Sequence, residues 1–185
     1  MVVHPSLRGL SLCAGVAGFD LALKIALGEE YRTVCHVERE AYAAAVLVAR
    51  MADSSLAEAP VWDSIESFDG KPWRGKVDIV TAGFPCPPVS SAGRHKGSDD
   101  PRWLWPQVHR IVGEVRPEWV FCENVPGLLS NNAGREFSQM LGNLAESGYD
   151  AEWDCIPAIT VGAPHVRDRV WLLAHAQGDN RRARL

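Results

Sequence analysis

The sequence predicts an α/β fold in which a mainly parallel sheet is covered by helices on both faces. Short apolar segments alternate along the chain with longer segments whose apolar residues follow helical spacing. The composition, 46% hydrophobic and 23% charged in 185 residues, is that of one globular domain without repeats or low-complexity segments. In such a sheet ligands bind beyond the carboxyl ends of the strands, so the residues after each strand are the first functional candidates.

The first half of the chain shows the alternation of strand, turn and helix most clearly. A strand over residues 10–13 leads into a turn of small residues, and a helix over residues 19–27 follows and ends at Gly28. A second strand is predicted over residues 33–37, and an alanine-rich helix over residues 39–51. Later strands are predicted at residues 78–82, 119–122, 151–156 and 170–174.

Two segments depart from this alternation. Residues 85–101 are rich in Pro, Ser and Gly and carry a basic run, which predicts a functional loop longer than an ordinary connection. Residues 177–185 are polar and arginine-rich. They are predicted to form a frayed tail beyond a single domain of residues 1–176, with a phosphate-contacting arm as the alternative.

Charge, hydropathy and cysteine content limit the classes of function. Nineteen basic and 23 acidic side chains give a net charge of −4, so any contact with DNA is expected to be local. No apolar run approaches the roughly 18–20 residues that span a bilayer, and the first ten residues lack a signal-peptide pattern, which predicts a soluble, cytoplasmic protein. The five cysteines never form C-x-x-C pairs, which predicts reduced thiols and no structural metal.

A cofactor site is predicted after the first two strands. Ala14, Gly15 and Gly18 let the backbone turn tightly at a helix N-terminus. Glu38 ends the second strand, 23 residues after Gly15, where a carboxylate can accept both hydroxyls of a ribose. Asp63, after a possible third strand, could accept from an adenine amino group. Together they predict a nucleoside-bearing cofactor; the alternative is an ordinary glycine turn with surface acids.

Cys86 is the candidate nucleophile. It lies in Gly83-Phe84-Pro85-Cys86-Pro87-Pro88, directly after a predicted strand. The flanking prolines and the polar loop favour an exposed, reactive thiolate over a buried thiol. The other four cysteines are predicted to be buried in or beside apolar strands, with Cys13 a candidate to line the cofactor turn.

Three charged residues follow or precede the later strands. Glu123 comes after the strand at 119–122, where it could handle a proton or instead form a cap or an ion pair. Arg167 and Arg169 precede the last strand with one residue between them, so in an extended chain both side chains would point the same way. Such a pair can hold a carboxylate and a substrate carbonyl, or it can be a solvated edge.

Taken in order, these segments resemble the DNA (cytosine-5) methyltransferases from Leu10 to Ala174. The resemblance implies a doubly wound, Rossmann-like methyltransferase fold and S-adenosyl-L-methionine as cofactor. It rests on seven motifs: residues 12–19 (LCAGVAGF), Glu38, Asp63, residues 83–86 (GFPC), residues 104–106 (LWP), residues 123–125 (ENV) and Arg167-x-Arg169. The cofactor residues that it implies are Cys13, Ala14, Gly15, Gly18, Phe19, Glu38, Asp63 and Pro85.

The resemblance also implies a reaction. A Cys86 thiolate attacks C6 of a cytosine flipped out of the duplex, while Glu123 binds N3 and the exocyclic amine. Arg167 supports the base carbonyl, and Arg169 orients Glu123. The loop at residues 85–101 is expected to close over the base.

The chain departs from the family at single positions. Cys13, Ala17, Pro87 and His165 stand where the family usually has Phe, Gly, Gln and Gln. Cys13 and Ala17 bear only on packing around the cofactor, and His165 can still form hydrogen bonds. Pro87 removes a backbone donor beside the nucleophile and so bears on the geometry of the loop.

The resemblance does not extend to target recognition. Family members continue past the arginine strand into a recognition domain, whereas this chain ends at Leu185. We therefore expect a truncated chain or one half of a split restriction–modification enzyme, with double-stranded DNA as substrate and a second chain supplying recognition. The alternatives are a non-catalytic remnant that binds cofactor or a partner chain, and an RNA cytosine-5 methyltransferase. A dinucleotide-dependent oxidoreductase would leave Cys86 and residues 123–125 unexplained.

Overall fold

The computed structural model describes residues 7–86 and 103–178. The described strands are β1 (Leu7–Leu12), β2 (Tyr31–Val37), β3 (Val61–Trp62), β4 (Ile79–Ala82), β5 (Trp119–Asn124), β6 (Tyr149–Pro157) and β7 (Asp168–Ala176). The described helices are α1 (Gly18–Leu27), α2 (Ala41–Ala52), α3 (Trp105–Val115), α4 (Gly127–Ser130) and α5 (Arg135–Glu146). None of these helices is long and apolar enough to cross a membrane.

The strands form one sheet in the order β3-β2-β1-β4-β5-β7-β6. The first five in this order pair with one another in parallel, which confirms the predicted mainly parallel sheet. β7 lies antiparallel between β5 and β6. A parallel β6–β7 pair would need a crossover of about a dozen residues or more, and the connection over residues 158–167 holds only a short 3₁₀ turn.

The order of the strands places a crevice beside β1. The chain leaves β1 towards β2 and β3 and then returns to pair β4 on the other side of β1. At such a switch point the connections after β1 and β4 diverge to opposite sides, so a ligand can enter between them. The predicted cofactor turn and the predicted nucleophile both follow these two strands.

The core lies mainly between the sheet and the helices α3 and α5. These two helices bury apolar side chains along one face, among them Val108, Ile111 and Val112 in α3 and Met140 and Leu144 in α5. They pack in one cluster with the alternate residues of the central strands. The fold therefore holds the carboxyl ends of β1, β4 and β5 on a rigid support.

A polar network fixes α1 to the opposite face of the sheet. Asp20 of α1 is 1% exposed. Its Oδ2 accepts from Ser11 at 2.8 Å, and its Oδ1 accepts from Thr33 at 2.6 Å and from Tyr31 at 3.2 Å. Because these partners lie on β1 and β2, the network locks the helix that follows the cofactor turn onto two strands.

Several predicted boundaries are corrected. The first strand ends at Leu12, so Cys13 lies beyond it with φ 51°. The alanine-rich helix begins at Ala41 rather than at residue 39, because the Glu40 side chain caps it through the backbone N–H groups of Tyr42 and Ala43.

The predicted helix at 19–27 and the other predicted strands match α1 and the observed strands to within two or three residues. Most of the predicted loop, including Pro87, and residues 179–185 of the predicted tail lie outside the described residues.

Candidate active site

A cavity of about 700 Å³ opens at the carboxyl ends of β1, β2 and β4. Pockets for small ligands and cofactors commonly have volumes of about 300–1,000 Å³. Four of the predicted cofactor residues line it, namely Cys13, Gly15, Glu38 and Pro85. Residues that the sequence had not marked as cofactor contacts, including Arg39, Glu40, Ile65, Glu66, Gly83 and Leu104, also line it.

The turn after β1 is built from left-handed residues. Cys13, Gly15 and Ala17 have φ values of 51°, 54° and 67°. The turn is anchored where Ala14 N–H donates to Val37 O at 3.1 Å. A Cβ at Gly15 or Gly18 would meet no heavy atom within 4 Å, so these glycines leave open space beside the N-terminus of α1.

Glu38 joins the ends of β1 and β2. Its Oε2 accepts from Gly15 N–H at 2.7 Å, and its Oε1 accepts from Glu40 N–H at 2.7 Å. Each carboxylate oxygen has a second lone pair, so a fixed Glu38 can still accept two ligand hydroxyls. Burial, followed by the charges of Glu38 and Glu66, raises the pKa of Cys13 to about 12, so this thiol is neutral at the cavity wall.

The wall of the cavity next to β3 is formed by residues other than Asp63, which was predicted to contact the cofactor there. Asp63 follows β3 as predicted but is exposed, and Ile65 and Glu66 supply the lining there. Ser64 donates to Glu66 at 2.7 Å, which lowers the pKa of Glu66. Ile65 could have been suspected from the sequence, because it is an apolar residue in a polar loop. No neighbouring residue indicates that Glu66 lines a cavity.

Cys86 is the fourth residue after β4, and Phe84, two residues before it, is held by contacts from other parts of the chain. The Phe84 ring packs against Trp103 and Trp105, at centroid distances of 5.7 and 6.0 Å. Asn124 Nδ2 donates to Phe84 O at 3.1 Å. Cys86 itself packs against the core cluster and is half-buried, and burial raises the pKa of its thiol. The thiol is therefore neither fully exposed, as the sequence favours, nor fully buried.

The other cysteines follow the prediction with one exception. Cys35 and Cys122 are buried and Cys13 is partly buried, as expected. Cys155 is exposed on β6 instead of buried. All five cysteines lie within the described residues and are free thiols.

Glu123 and Arg169 form an ion pair across neighbouring strands. Glu123 lies within β5, which runs on to Asn124, and not after the strand as predicted. Glu123 pairs with Trp171 in β7, so Arg169 lies two residues away on the same face. Arg169 Nε is 2.5 Å from Glu123 Oε1, and the two side chains are 21% and 24% exposed.

The second oxygen of Glu123 faces the loop that carries the candidate nucleophile. A Cβ at Gly83 would lie 3.8 Å from Glu123 Oε2 and 3.7 Å from the ring of Phe19. Phe19 itself packs edge-on against Phe121 and Trp171. The end of β4, the start of α1 and the end of β5 therefore meet at one point.

Arg167 does not join this cluster. The prediction placed both arginines on one side of an extended chain, but only Arg169 lies in β7, and Arg167 has φ 22°. Arg167 is exposed, and its side chain forms no hydrogen bond or ion pair within residues 7–86 and 103–178.

Comparison with known families and proteins gives consistent matches. A family model described as C-5 cytosine-specific DNA methylase matches residues 7–184. The type II methyltransferase M.PspPI of Psychrobacter is 35% identical over 178 residues, covering 94% of this chain and 41% of that protein. M.NgoMIV of Neisseria gonorrhoeae is 32% identical, covering 89% of this chain and 50% of that protein. The chain thus spans about half the length of these relatives.

Solved structures share the fold. A DNMT2 of Spodoptera frugiperda superposes with a TM-score of 0.72 at 22% identity, covering 92% of this chain and 50% of that one. The methyltransferase EhMeth of Entamoeba histolytica gives a TM-score of 0.74 at 16% identity, covering 95% and 54%.

Proposed function

Because the chain belongs to the C-5 cytosine-specific DNA methylase family, we propose that it is the cofactor-binding and catalytic part of a DNA (cytosine-5) methyltransferase. Its reaction would move a methyl group from S-adenosyl-L-methionine to C5 of a cytosine in double-stranded DNA. One observation supports this proposal most: the half-buried Cys86, the Glu123–Arg169 ion pair and the cavity beside Glu38 occur at the same edge of the sheet.

The cavity fits the proposed cofactor in size and in chemistry. Glu38 offers two fixed acceptor oxygens to ribose hydroxyls, and Ile65 offers an apolar wall to a purine ring. We propose that the cofactor is held by Cys13, Ala14, Gly15, Gly18, Phe19, Glu38, Asp63 and Pro85. When bound, S-adenosyl-L-methionine supplies an electrophilic methyl group on its sulfonium.

The chain's own residues would prepare the base for that methyl group. The Cys86 thiolate adds to C6, and the electron pair of the C5–C6 bond raises the electron density at C5. Glu123 binds N3 and the exocyclic amine and offsets the charge that develops on the ring. Arg169 keeps the Glu123 carboxylate in place through the ion pair. After methylation, loss of the C5 proton and breakage of the C6–S bond release Cys86.

Arg167 is proposed to support the base carbonyl, a role that requires it to approach the base from its exposed position. Since stacked bases cannot be reached by the thiol, the target cytosine must leave the duplex.

We assign recognition of the target sequence to the part of such a protein that this chain does not span, in the same polypeptide or in a second chain. The proposal places the protein in the compartment that holds DNA and the cofactor, the cytoplasm of a bacterial cell.

Covalent trapping tests the proposal. DNA with 5-fluorocytosine at the target position retains the adduct, because fluorine cannot leave C5 as a proton does. With the remaining half supplied in trans or by fusion, we expect a complex stable to denaturation with the wild type and with Cys155→Ser, and none with Cys86→Ser. A complex that persists in Cys86→Ser would contradict the nucleophile assignment. No complex with any of the three proteins would favour the remnant.

A further inference from the structure

The wall of the cavity formed by Ile65 and Glu66 belongs to a segment outside the sheet. These two residues lie in the connection between β3 and β4, residues 63–78. This connection is described throughout, and its regular structure is one short 3₁₀ turn at Lys71–Trp73. Connecting segments are generally more mobile than the strands that they join. Contacts from other elements therefore decide how firmly this wall of the cavity is held.

Arg110 of α3 supplies two of these contacts. Its Nη2 donates to Ile65 O at 2.8 Å, and its Nη1 donates to Phe68 O at 3.0 Å. The guanidinium is itself held by two side chains of α3. Nη1 donates to the Glu114 carboxylate at 3.0 Å, and Nε donates to Gln107 Oε1 at 2.9 Å. A fixed cation of the helix therefore bonds to two backbone carbonyls of the connection.

The connection also touches α3 at a second point. Gly70 N–H donates to Glu114 Oε2 at 2.8 Å. A Cβ at Gly70 would lie 2.9 Å from this oxygen and 3.1 Å from Val115 Cγ2, so the close approach depends on glycine. Between the two points, the Phe68 ring is 2% exposed and stacks on Trp73. Residues 65–70 therefore lie directly against the helix.

The carbonyl and the side chain of Ile65 have different roles. The carbonyl accepts from Arg110, whereas the side chain is 5% exposed and lines the cavity. Arg110 itself lies outside the lining of the cavity. Its hydrogen bonds thus act on the cavity only through the backbone that carries Ile65 and Glu66.

We propose that Arg110 is a positioning residue for the cofactor: it fixes the wall formed by Ile65 and Glu66 before the ligand binds. The inference rests on the proposed function in taking S-adenosyl-L-methionine as the occupant of the cavity. A segment that is already ordered loses little conformational freedom on binding, and this preorganisation raises affinity. Lysine cannot replace Arg110 here, because its ammonium lacks the planar fork that reaches two carbonyls and a carboxylate together.

A double-mutant cycle, measured by isothermal titration calorimetry with S-adenosyl-L-methionine, tests the inference. Arg110→Met keeps a long side chain but removes every donor, and we expect about tenfold weaker binding. Ile65→Ala removes the apolar wall directly. Because Arg110 acts through this wall, the combined loss should be at least about threefold smaller than the product of the two single losses. With Glu38→Gln, whose contacts are separate, the losses should multiply.

Hydrogen exchange locates the effect without any ligand. Phe68 N–H donates to Ser64 O, and Gly70 N–H donates to Glu114 Oε2. We expect both amides to exchange about tenfold faster or more in Arg110→Met, because the segment opens locally. The amides of the central strand β4 should exchange at the wild-type rate.

Arg74→Met is the matched control. Arg74 donates from Nε to Glu114 O at 2.9 Å and from Nη2 to Gly113 O at 3.3 Å. It therefore joins the same connection to the same helix without bonding to the wall of the cavity. We expect its dissociation constant to stay within about twofold of the wild type. Arg110→Lys, which keeps the charge, should recover no more than about threefold of the affinity lost in Arg110→Met.

Equal dissociation constants for wild type and Arg110→Met would overturn the inference. So would losses that multiply fully between Arg110→Met and Ile65→Ala, or an equal loss in Arg74→Met. If Arg110→Met lacks a cooperative urea transition, Arg110→Lys replaces it in the cycle. If both lack one, Arg110 serves the fold and the inference fails. A wild type that does not bind S-adenosyl-L-methionine would instead contradict the proposed function, and exchange at Phe68 and Gly70 would still decide whether Arg110 holds the wall.

Discussion

Glu38→Gln is expected to weaken binding of S-adenosyl-L-methionine about 10- to 100-fold. The wild-type carboxylate uses one lone pair of each oxygen on backbone N–H groups and keeps one on each for a hydroxyl. The carboxamide retains one oxygen, so one ligand hydroxyl loses a charged acceptor. A hydrogen bond to a charged group contributes about 1.5–3 kcal/mol, and each 1.4 kcal/mol corresponds to about tenfold in affinity.

Isothermal titration calorimetry measures this difference, and Glu40→Gln is the matched control. Glu40 lines the same cavity, but its side chain caps α2 through Tyr42 and Ala43. Losing part of this cap costs about 1 kcal/mol of stability and should change the affinity less than about threefold. Equal dissociation constants for wild type and Glu38→Gln would refute the assignment of the ribose acceptor. Equal losses in both variants would show a general disturbance of the cavity instead.

Three further expectations follow from burial and charge. Asp20→Ala removes the carboxylate that accepts from three buried hydroxyl groups, of which Tyr31 and Thr33 keep only the hydrogen bond to each other. The substitution should lower the unfolding free energy in urea by about 3 kcal/mol, whereas the exposed Asp154→Ala should change it by less than about 0.5 kcal/mol. Burial raises the pKa of Cys35 to about 11 and of Cys13 and Cys122 to about 12, from 9.0. Their contribution to stability is complete below pH 9 and is lost as the pH rises towards 12, so the urea midpoint should fall between pH 8.5 and 10.5, and an unchanged midpoint would contradict these shifts. With a net charge of −4, the chain alone should bind duplex DNA only non-specifically, with a Kd of about 10⁻⁴–10⁻⁶ M that weakens with salt; a single motif recovered from random duplexes would contradict this.

The parts of the fold that could be predicted are those whose sequence pattern is complete within a few neighbouring residues. The turn at residues 13–18 is marked by its glycines, of which Gly15 adopts a left-handed φ, and α1 and α2 are marked by helical spacing and alanine content. The end of β2 is marked by Glu38 after an apolar run. Such signals do not depend on the rest of the chain, which is why these elements lie close to their predicted bounds.

The unpredicted parts depend on distant residues. Cys86 is half-buried against a core cluster that includes Phe84, Trp103 and Trp105, and no feature of the GFPC sequence itself shows this. Glu136 is one of three charged residues in the amphipathic helix α5, and the other two, Arg135 and Glu146, are exposed. Only the packing of α5 against the sheet reveals that this carboxylate is buried.

The direction of β7 is the feature on which the Glu123–Arg169 ion pair depends most. In an antiparallel pair the first residues of β7 lie beside the last residues of β5. Arg169 therefore contacts Glu123 at the edge of the sheet where β4 ends and Gly83 follows it. Were β7 parallel to β5, its first residues would lie at the opposite end of β5. Six residues at about 3.3 Å each would then separate the guanidinium from the carboxylate by roughly 20 Å. Among the described strands, β7 is the one that runs against the others, and it therefore lets a residue at the start of a strand, and not only residues at or after the end of one, reach this edge of the sheet.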